Sequence, residues 1–508
     1  MASQHDIANR IPITAALMLA TLMNTLDSTI ANVALPHIQG SVSAAQDQIT
    51  WVLTSYIIAA AIMMPLSGWL ALRIGRKRMF LISIAGFTVA SMLCGIATSL
   101  PEIVVFRVLQ GIAGASMMPL SQTVMLDIFE PKQIPRVMAL WSSAVILGPI
   151  LGPALGGWLT ENFSWRWVFY INLPIGILAF TLLQLNMDRD KGGQERPFDL
   201  LGFGSLVIFI GALQIMLDRG PGQDWFGSPE IWIEAIAAMI GLWVFLVQTL
   251  TAANPYFHRD LAKDRNYVAS TVFGFFTGAL MFSTSALLPS MMQNLMGFTV
   301  LESGYASMPR GVGSMVAFLT VPAILARFGA RFALACGLVL SLFALVLMSR
   351  FDLMMTSMPI MTTGFVQGMG TGLMFAPLTA LAYVSLAPKH RTEGTIVSTM
   401  VRSLGSSVGI SMLQARLIRQ SALAHSVLAE HAQTSDPVFR AVTPGVLNPD
   451  TALGAQLLNG EVTRQAGMIA YDDVFAIIAI MVVVVAPLIF LLRPPKQIAL
   501  SSIDMAHE

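Results

Sequence analysis

Apolar runs separated by short polar gaps repeat along the whole 508-residue chain. Fourteen such runs lie near 13–34, 49–72, 79–98, 102–127, 137–160, 166–186, 199–218, 229–251, 267–289, 303–326, 331–351, 358–384, 395–417 and 471–493. Each holds roughly 20 residues, the length a helix needs to cross about 30 Å of hydrocarbon. The pattern predicts an all-α integral membrane protein with 14 transmembrane helices.

The runs fall into two similar sets. Gln110-Gly111 recurs as Gln367-Gly368, Pro119-Leu120 as Pro377-Leu378, and Pro131-Lys132 as Pro388-Lys389. Gly148 and Gly152 recur as Gly405 and Gly409, and Arg73-Ile74-Gly75 is echoed by Arg327-Phe328-Gly329. Five matches in order, at spacings of 254 to 258, pair spans 1–6 with spans 9–14. Both copies enter the membrane from the same side. Parallel repeats that rock about a midplane site are a transporter architecture. The expected organisation is therefore a six-helix bundle over 1–190, a two-helix insert over 191–262 and a second bundle over 263–508. A gap at 418–470 holds Pro437, Pro444 and Pro449; residues 418–432 are read as an amphipathic helical extension and the remainder as loop.

Composition strengthens the membrane reading. The chain is 55% hydrophobic and 11% charged, against about 25% charged for an ordinary soluble domain. The near-zero net charge is uninformative about partners, and no nucleic-acid partner is expected. The placement of charge is informative. Of 29 Lys and Arg, 19 lie in the two tails and the even-numbered gaps, 7 in the odd-numbered gaps and 3 inside spans. The positive-inside rule puts both termini in the cytoplasm, and an even number of spans requires the two ends to share a side. The first run lacks a small-residue cleavage site and is read as a retained span. Cys94 and Cys336 both fall within spans, so no disulfide framework is implied.

A few polar residues sit where lipid would penalise them. Asp27 is the one acid of the first span, with Asn32 and Pro36 farther along. A carboxylate in hydrocarbon is costly and should face a bundle interior or a wet cavity. It is either a proton-coupling or substrate-contacting acid, or a structural acid bridging a broken helix end. Arg107 begins Arg107-Val108-Leu109-Gln110-Gly111, and its repeat counterpart is Gly364. It is either a cation of the transport cavity or a structural Arg that bonds helix ends or snorkels outward. Arg310 and Arg402 are also intramembrane, lining the cavity or tying helices together. Glu234, in the insert, is placed outside the transport path. Gly148, Gly152, Gly156 and Gly157, with Pro149 and Pro153, make span 5 a close-packing and bendable helix. The 32 methionines are read mainly as replacements for leucine.

No phosphate-binding G-x-x-x-x-G-K-[ST] loop, H-E-x-x-H, paired Cys-x-x-Cys or Ser/His/Asp grouping occurs. ATP is therefore not the expected energy source, and an enzyme is the least supported class.

These residues resemble the major facilitator superfamily, and within it the 14-span drug:proton antiporters of the EmrB/QacA type. Leu26-Asp27-Ser28-Thr29-Ile30-Ala31-Asn32-Val33-Ala34-Leu35-Pro36 resembles that family's L-D-x-T-x-x-N-V-A-L-P signature. Gly68-Trp69-Leu70-Ala71-Leu72-Arg73-Ile74-Gly75-Arg76-Lys77 resembles the superfamily loop between spans 2 and 3, departing at Leu72, often Asp. A gating salt bridge from position 72 is therefore not expected. Arg107 with Gln110-Gly111 is similar to the span-4 motif. Gly148-x-x-x-Gly152-Pro153-x-x-Gly156-Gly157 is similar to the antiporter signature of span 5. The run from Trp165 to Pro174 and the segment Leu213 to Gly220, followed by Asp224-Trp225-Phe226, are similar to EmrB-type sequences.

The resemblance implies efflux of hydrophobic or amphipathic toxic compounds, driven by the proton-motive force without any bound cofactor. It also implies a periplasmic adaptor and an outer-membrane channel as partners, with 418–470 as the adaptor contact. The rival readings are a dedicated exporter of one metabolite, fatty acid or siderophore, and a non-transporting membrane receptor or scaffold.

Overall fold

The computed structural model describes residues 10–44, 48–49, 51–130, 133–188, 197–384, 386–387, 390–432, 447 and 450–492. Pro131-Lys132, Pro388-Lys389, Pro437, Pro444 and Pro449 lie outside the described residues. The described residues form helices and no strand. Fourteen helices are long and apolar enough to cross a membrane. Spans 1–6 are Arg10–Val42, Trp51–Ile74, Arg76–Ile96, Leu100–Ile128, Arg136–Asn162 and Trp167–Asn186. Spans 7 and 8 are Leu200–Gly222 and Pro229–Thr251. Spans 9–14 are Arg265–Leu295, Val300–Phe328, Ala330–Met348, Ser357–Tyr383, Arg391–His431 and Ala452–Leu491. Helix is the expected solution because each backbone donor and acceptor is satisfied within its own segment, as lipid requires.

The internal repeat has local causes. Gly75 is the single residue between spans 2 and 3, and Gly329 the single residue between spans 10 and 11. Their φ angles are 93° and 80°, a region that glycine enters without a Cβ clash. The echoed Arg-x-Gly is thus one tight turn used twice. The glycines of spans 5 and 13 also match. A Cβ at Gly148 would lie 2.2 Å from Thr25 Oγ1 of span 1, and one at Gly405 would lie 2.1 Å from the Phe275 carbonyl of span 9. Each glycine lets two backbones approach to a distance that any side chain would forbid.

Arg76, Lys77, Arg331 and Arg391 gather at the end of the bundle where these turns lie, here termed the basic face. At the opposite end the structure departs from expectation. The helix of span 13 runs for 41 residues to His431, confirming the extension over 418–432. The remainder of 418–470 is not simply loop. A helix resumes at Ala452 and continues to Val485, its first turn capped by Thr451 Oγ1 accepting from Gly454 N at 3.0 Å. At 1.5 Å per residue the span-13 helix is about 60 Å long, twice the hydrocarbon thickness. The two helices are tied at the base of the extensions by Arg416–Asp473 at 2.8 Å and within them by His425–Asn459 at 3.1 Å. Hydropathy reports burial in lipid, not helicity, so it marked only the membrane-embedded part of each. This end is termed the hairpin face.

Span 7 packs along both spans 2 and 13. Near the hairpin face Thr54 donates to Asp218 Oδ2 at 2.8 Å, and Ser411 donates to the Leu217 carbonyl. Near the basic face Phe198 meets the Trp69 ring edge-on at 4.9 Å, and Asp199 accepts from Gln248 and from the Tyr256 amide. Span 8 packs on span 7 and leaves Trp232, Ile236 and Trp243 exposed. Glu234 lies within this pair of helices, 3.7 Å from Arg219.

Candidate functional site

Asp27 lies next to the midpoint of the 33-residue helix of span 1, which continues unbroken through Pro36 to Val42. The reading of a broken helix end near Asp27 is thereby excluded. Its carboxylate is 0% exposed. Oδ2 accepts from Arg107 Nη1 at 2.6 Å; Oδ1 accepts from Gln110 Nε2 at 2.8 Å and from Asn172 Nδ2 at 3.0 Å. Three N–H donors converging on two oxygens suit a carboxylate rather than a carboxylic acid, which would have to donate.

Arg107 is equally buried and does not snorkel. Its Nε donates to the Val52 carbonyl at 2.9 Å and Nη1 also to Gln110 Oε1 at 2.8 Å. Its guanidinium carbon sits 4.3 Å from the Tyr56 ring centroid and 5.8 Å from that of Phe169. Asn172 donates to Ser91 Oγ at 2.9 Å, which donates to the Phe169 carbonyl. Spans 1, 2, 3, 4 and 6 therefore all build one polar centre. Among the described residues Arg107 Nη2 and Asn172 Oδ1 have no hydrogen-bond partner. The carboxylate is fully engaged while the guanidinium is not.

The structure brings together Asp27, Arg107 and Gln110, which the sequence alone marks as candidate cavity residues without pairing them. Asn32 is not with them. It is exposed, because five residues of helix rotate it by about 140° away from Asp27. Arg310 and Arg402 stand apart in the last six spans. Arg310 donates to the Met281 carbonyl at 3.0 Å and to Thr284 Oγ1, tying span 10 to span 9. Arg402 lies over the rings of Phe375 at 5.0 Å and Trp141 at 6.0 Å, with Nη2 3.2 Å from Met118 Sδ. It thus reaches across to spans 4 and 5, and borders a cavity with Ser270, Thr379 and Tyr383.

The span-5 glycines divide by task. Cβ atoms at Gly152 and Gly156 would lie 2.3 Å from Thr29 Oγ1 and 2.9 Å from Ile30 Cγ1. With Gly148 they dock span 5 on the helix that carries Asp27. Gly157 faces Val300 of span 10 at 3.2 Å. Pro149 and Pro153 lie inside the helix.

On the basic face, Gly68 abuts Ile396 of span 13, and Arg73 lies over Trp69 at 5.0 Å. Leu72 carries no ionic bridge, as expected. Charge pairing is supplied instead by Asp127 of span 4, which pairs with Arg76 and, at 3.1 Å, with Arg391 of span 13. Sequence reasoning did not single out Asp127, nor Asp218, Tyr56 or the role of Asn172. The signal for Asn172 was a polar residue among Ile171 and Leu173 at the start of an apolar run. For Asp127 it was an acid closing the span-4 run.

The profile described as Major Facilitator Superfamily matches residues 17–410. The chain belongs to the major facilitator superfamily. It is 35% identical over 500 residues to the multidrug export protein EmrB of Escherichia coli K12, covering 96% of each chain. It is 34% identical over 490 residues to the fatty acid resistance protein FarB of Neisseria gonorrhoeae, covering 95% of this chain and 96% of the relative. The human organic anion transporter MFSD10 superposes with a TM-score of 0.60 at 13% identity, over 95% of this chain and 100% of that one. That likeness shows a shared fold. This major facilitator protein is a multi-pass protein of the inner membrane.

Proposed function

We propose that the chain exports hydrophobic or amphipathic toxic compounds from the cytoplasm in exchange for protons, by alternating access between spans 1–6 and spans 9–14. The observation that carries the reading is the sealed Asp27–Arg107–Gln110–Asn172 centre, 0% exposed inside the first six spans. A lone acid with three donors has two states. In one it is ionised and held by Arg107; in the other it is protonated and the guanidinium turns to another partner. Exchange between the states moves one proton and repositions span 1 against span 4. The basic face is assigned to the cytoplasm by the positive-inside rule. One charge crossing 100 mV supplies about 2.3 kcal/mol. That supports roughly a 50-fold gradient of a neutral solute at about 1.4 kcal/mol per decade, before any pH difference is added.

The names of two relatives support the class of cargo, a multidrug export protein and a fatty acid resistance protein. The second favours a narrower reading, export of fatty acids, which a competition assay separates. Broad specificity predicts that chemically unrelated drugs compete with a fatty acid; a dedicated exporter predicts that they do not. The helical hairpin of spans 13 and 14 is assigned as the contact for a periplasmic adaptor within a tripartite pump. It projects beyond the membrane and exposes Leu423, Val427 and Leu453.

The deciding experiment is dye efflux from proteoliposomes under an imposed pH difference. Wild type should transport and acidify or alkalinise the lumen accordingly; Asp27→Asn should insert normally and lose pH-driven transport. Undiminished pH-driven flux in Asp27→Asn would remove Asp27 from coupling.

A further inference from the structure

Three ligating side chains meet on the basic face, outside the Asp27 centre. His258 and Asp260 lie on the connection from span 8 to span 9, and His390 immediately precedes span 13. Their ligating atoms all lie within 4.8 Å of one another, with His390 Nε2 3.8 Å from Asp260 Oδ2. The two imidazole centroids are 4.7 Å apart at an interplanar angle of 62°. His390 is buried, whereas His258 and Asp260 face solvent.

The backbone holds this arrangement. The His258 amide donates to Glu393 Oε2 at 3.0 Å, the Leu261 amide to the His258 carbonyl at 3.1 Å, and the His390 amide to the Ala387 carbonyl at 2.9 Å. Lys263 engages Asp260 Oδ1 at 2.8 Å, while Oδ2 points toward His390. Two imidazoles and one carboxylate are the donor set of a borderline divalent ion such as zinc, with water completing the coordination. Metal–nitrogen bonds of about 2.0–2.1 Å require the ligands to draw together. Rotation of the exposed His258 side chain supplies that movement.

We propose that His258, Asp260 and His390 bind a divalent transition metal of zinc chemistry, and that the bound metal ties the connection from span 8 to span 9 onto the first turn of span 13, the turn that holds span 4 at the basic face. The bracing follows from what lies beside His390. Arg391, the next residue, donates to the Leu126 carbonyl at 2.9 Å and pairs with Asp127 at 3.1 Å, both on span 4. Glu393 holds the segment that carries His258. A metal that ties His390 to the span 8–9 connection stiffens the first turn of span 13, whose hold on span 4 through Arg391 must be released for the basic face to open. Binding stands by itself; the effect on transport rests on the alternating-access reading.

The test uses full-length protein in detergent, purified through a tag without histidine. Cobalt titration should give one saturable site with tetrahedral d–d absorption, displaced by zinc. Loss of an outer-shell partner alone costs about 10–100-fold in affinity, so His258→Ala and His390→Ala, which remove ligands, should each weaken it by at least that much, and Asp260→Asn by less. Equal cobalt binding by wild type and the His258→Ala/His390→Ala double variant overturns the site. In proteoliposomes, micromolar zinc should slow pH-driven efflux by wild type and not by His258→Ala, whose zinc-free rate should equal wild type. Equal slowing of both, or none, overturns the bracing. Absence of pH-driven efflux in zinc-free wild type would instead count against the transport reading, with cobalt binding still decided separately.

Discussion

Asp27 and Arg107 are each fully buried, and each is tolerable only because of the other. Removing one partner of a buried ion pair leaves an uncompensated charge, at a cost of about 3–5 kcal/mol, whereas replacing both by well-packed apolar groups of similar volume is often close to neutral. Arg107→Ala should therefore lower the thermal midpoint in detergent substantially. Asp27→Leu with Arg107→Met should recover most of that loss without recovering pH-driven efflux. A double variant as unstable as the sum of both singles would show that the pair is not coupled energetically. The sequence exposed these residues because charge inside an apolar run is costly, and that argument needs no tertiary information. What it left open was pairing. The Val52 carbonyl, the Tyr56 ring and Asn172 come from two other spans, 2 and 6, and no local pattern relates them. Asn32 marks the limit of reading along a helix, since its place in the signature says nothing of the face it occupies.

Elements were legible where burial in lipid drives them, and less so where they leave it. All fourteen spans follow from apolar length, but the hairpin helices beyond residues 417 and before 471 carry mixed polarity. Within the membrane, close packing makes specific demands. Gly148 and Gly152 sit where a Cβ would meet Thr25 and Thr29 of span 1, and overpacking of this kind costs about 1–3 kcal/mol. Gly148→Val should reduce both thermal stability and transport. Gly157→Ala, whose Cβ would lie 3.2 Å from Val300, should fold normally and chiefly change the transport rate. The reverse ranking in melting and efflux assays would invalidate that division. The insert separates in the same way. Asp218→Leu breaks the Thr54 contact that joins span 7 to span 2 and should impair efflux. A Cβ at Gly241 would lie 2.7 Å from the Phe209 backbone nitrogen of span 7, so Gly241→Leu should push span 8 off span 7 while leaving the Thr54 contact in place, and efflux should remain near wild type. If Gly241→Leu is the more damaging change, span 7 is not the helix that seals the seam between spans 2 and 13.

At the scale of the whole molecule, the first and last six spans touch at both faces. Near the hairpin face, Gly304 of span 10 packs on Ala154 of span 5, and Val300 on Gly157. At the basic face Thr123 and Thr395 hydrogen-bond across the interface at 2.6 Å, beside the Arg391–Asp127 pair. A solute can leave such a molecule only after one set of contacts parts, so a covalent link across either face should arrest transport. The two threonine hydroxyls lie 2.6 Å apart, so cysteines at the same positions place their sulfurs side by side, and a disulfide needs only a small adjustment toward a Cβ separation of about 3.5–4.5 Å. In a Thr123→Cys/Thr395→Cys variant, oxidation should stop efflux and a reductant should restore it. Each single variant should be indifferent to both treatments. Cys94 is buried beside Gln110, with Sγ 3.6 Å from Oε1, and Cys336→Ser removes the other native thiol. Continued efflux from a fully cross-linked population, verified by mass spectrometry, would mean that the basic face does not open during transport. The two six-span sets would then have to release cargo sideways, through the seam that span 7 lines.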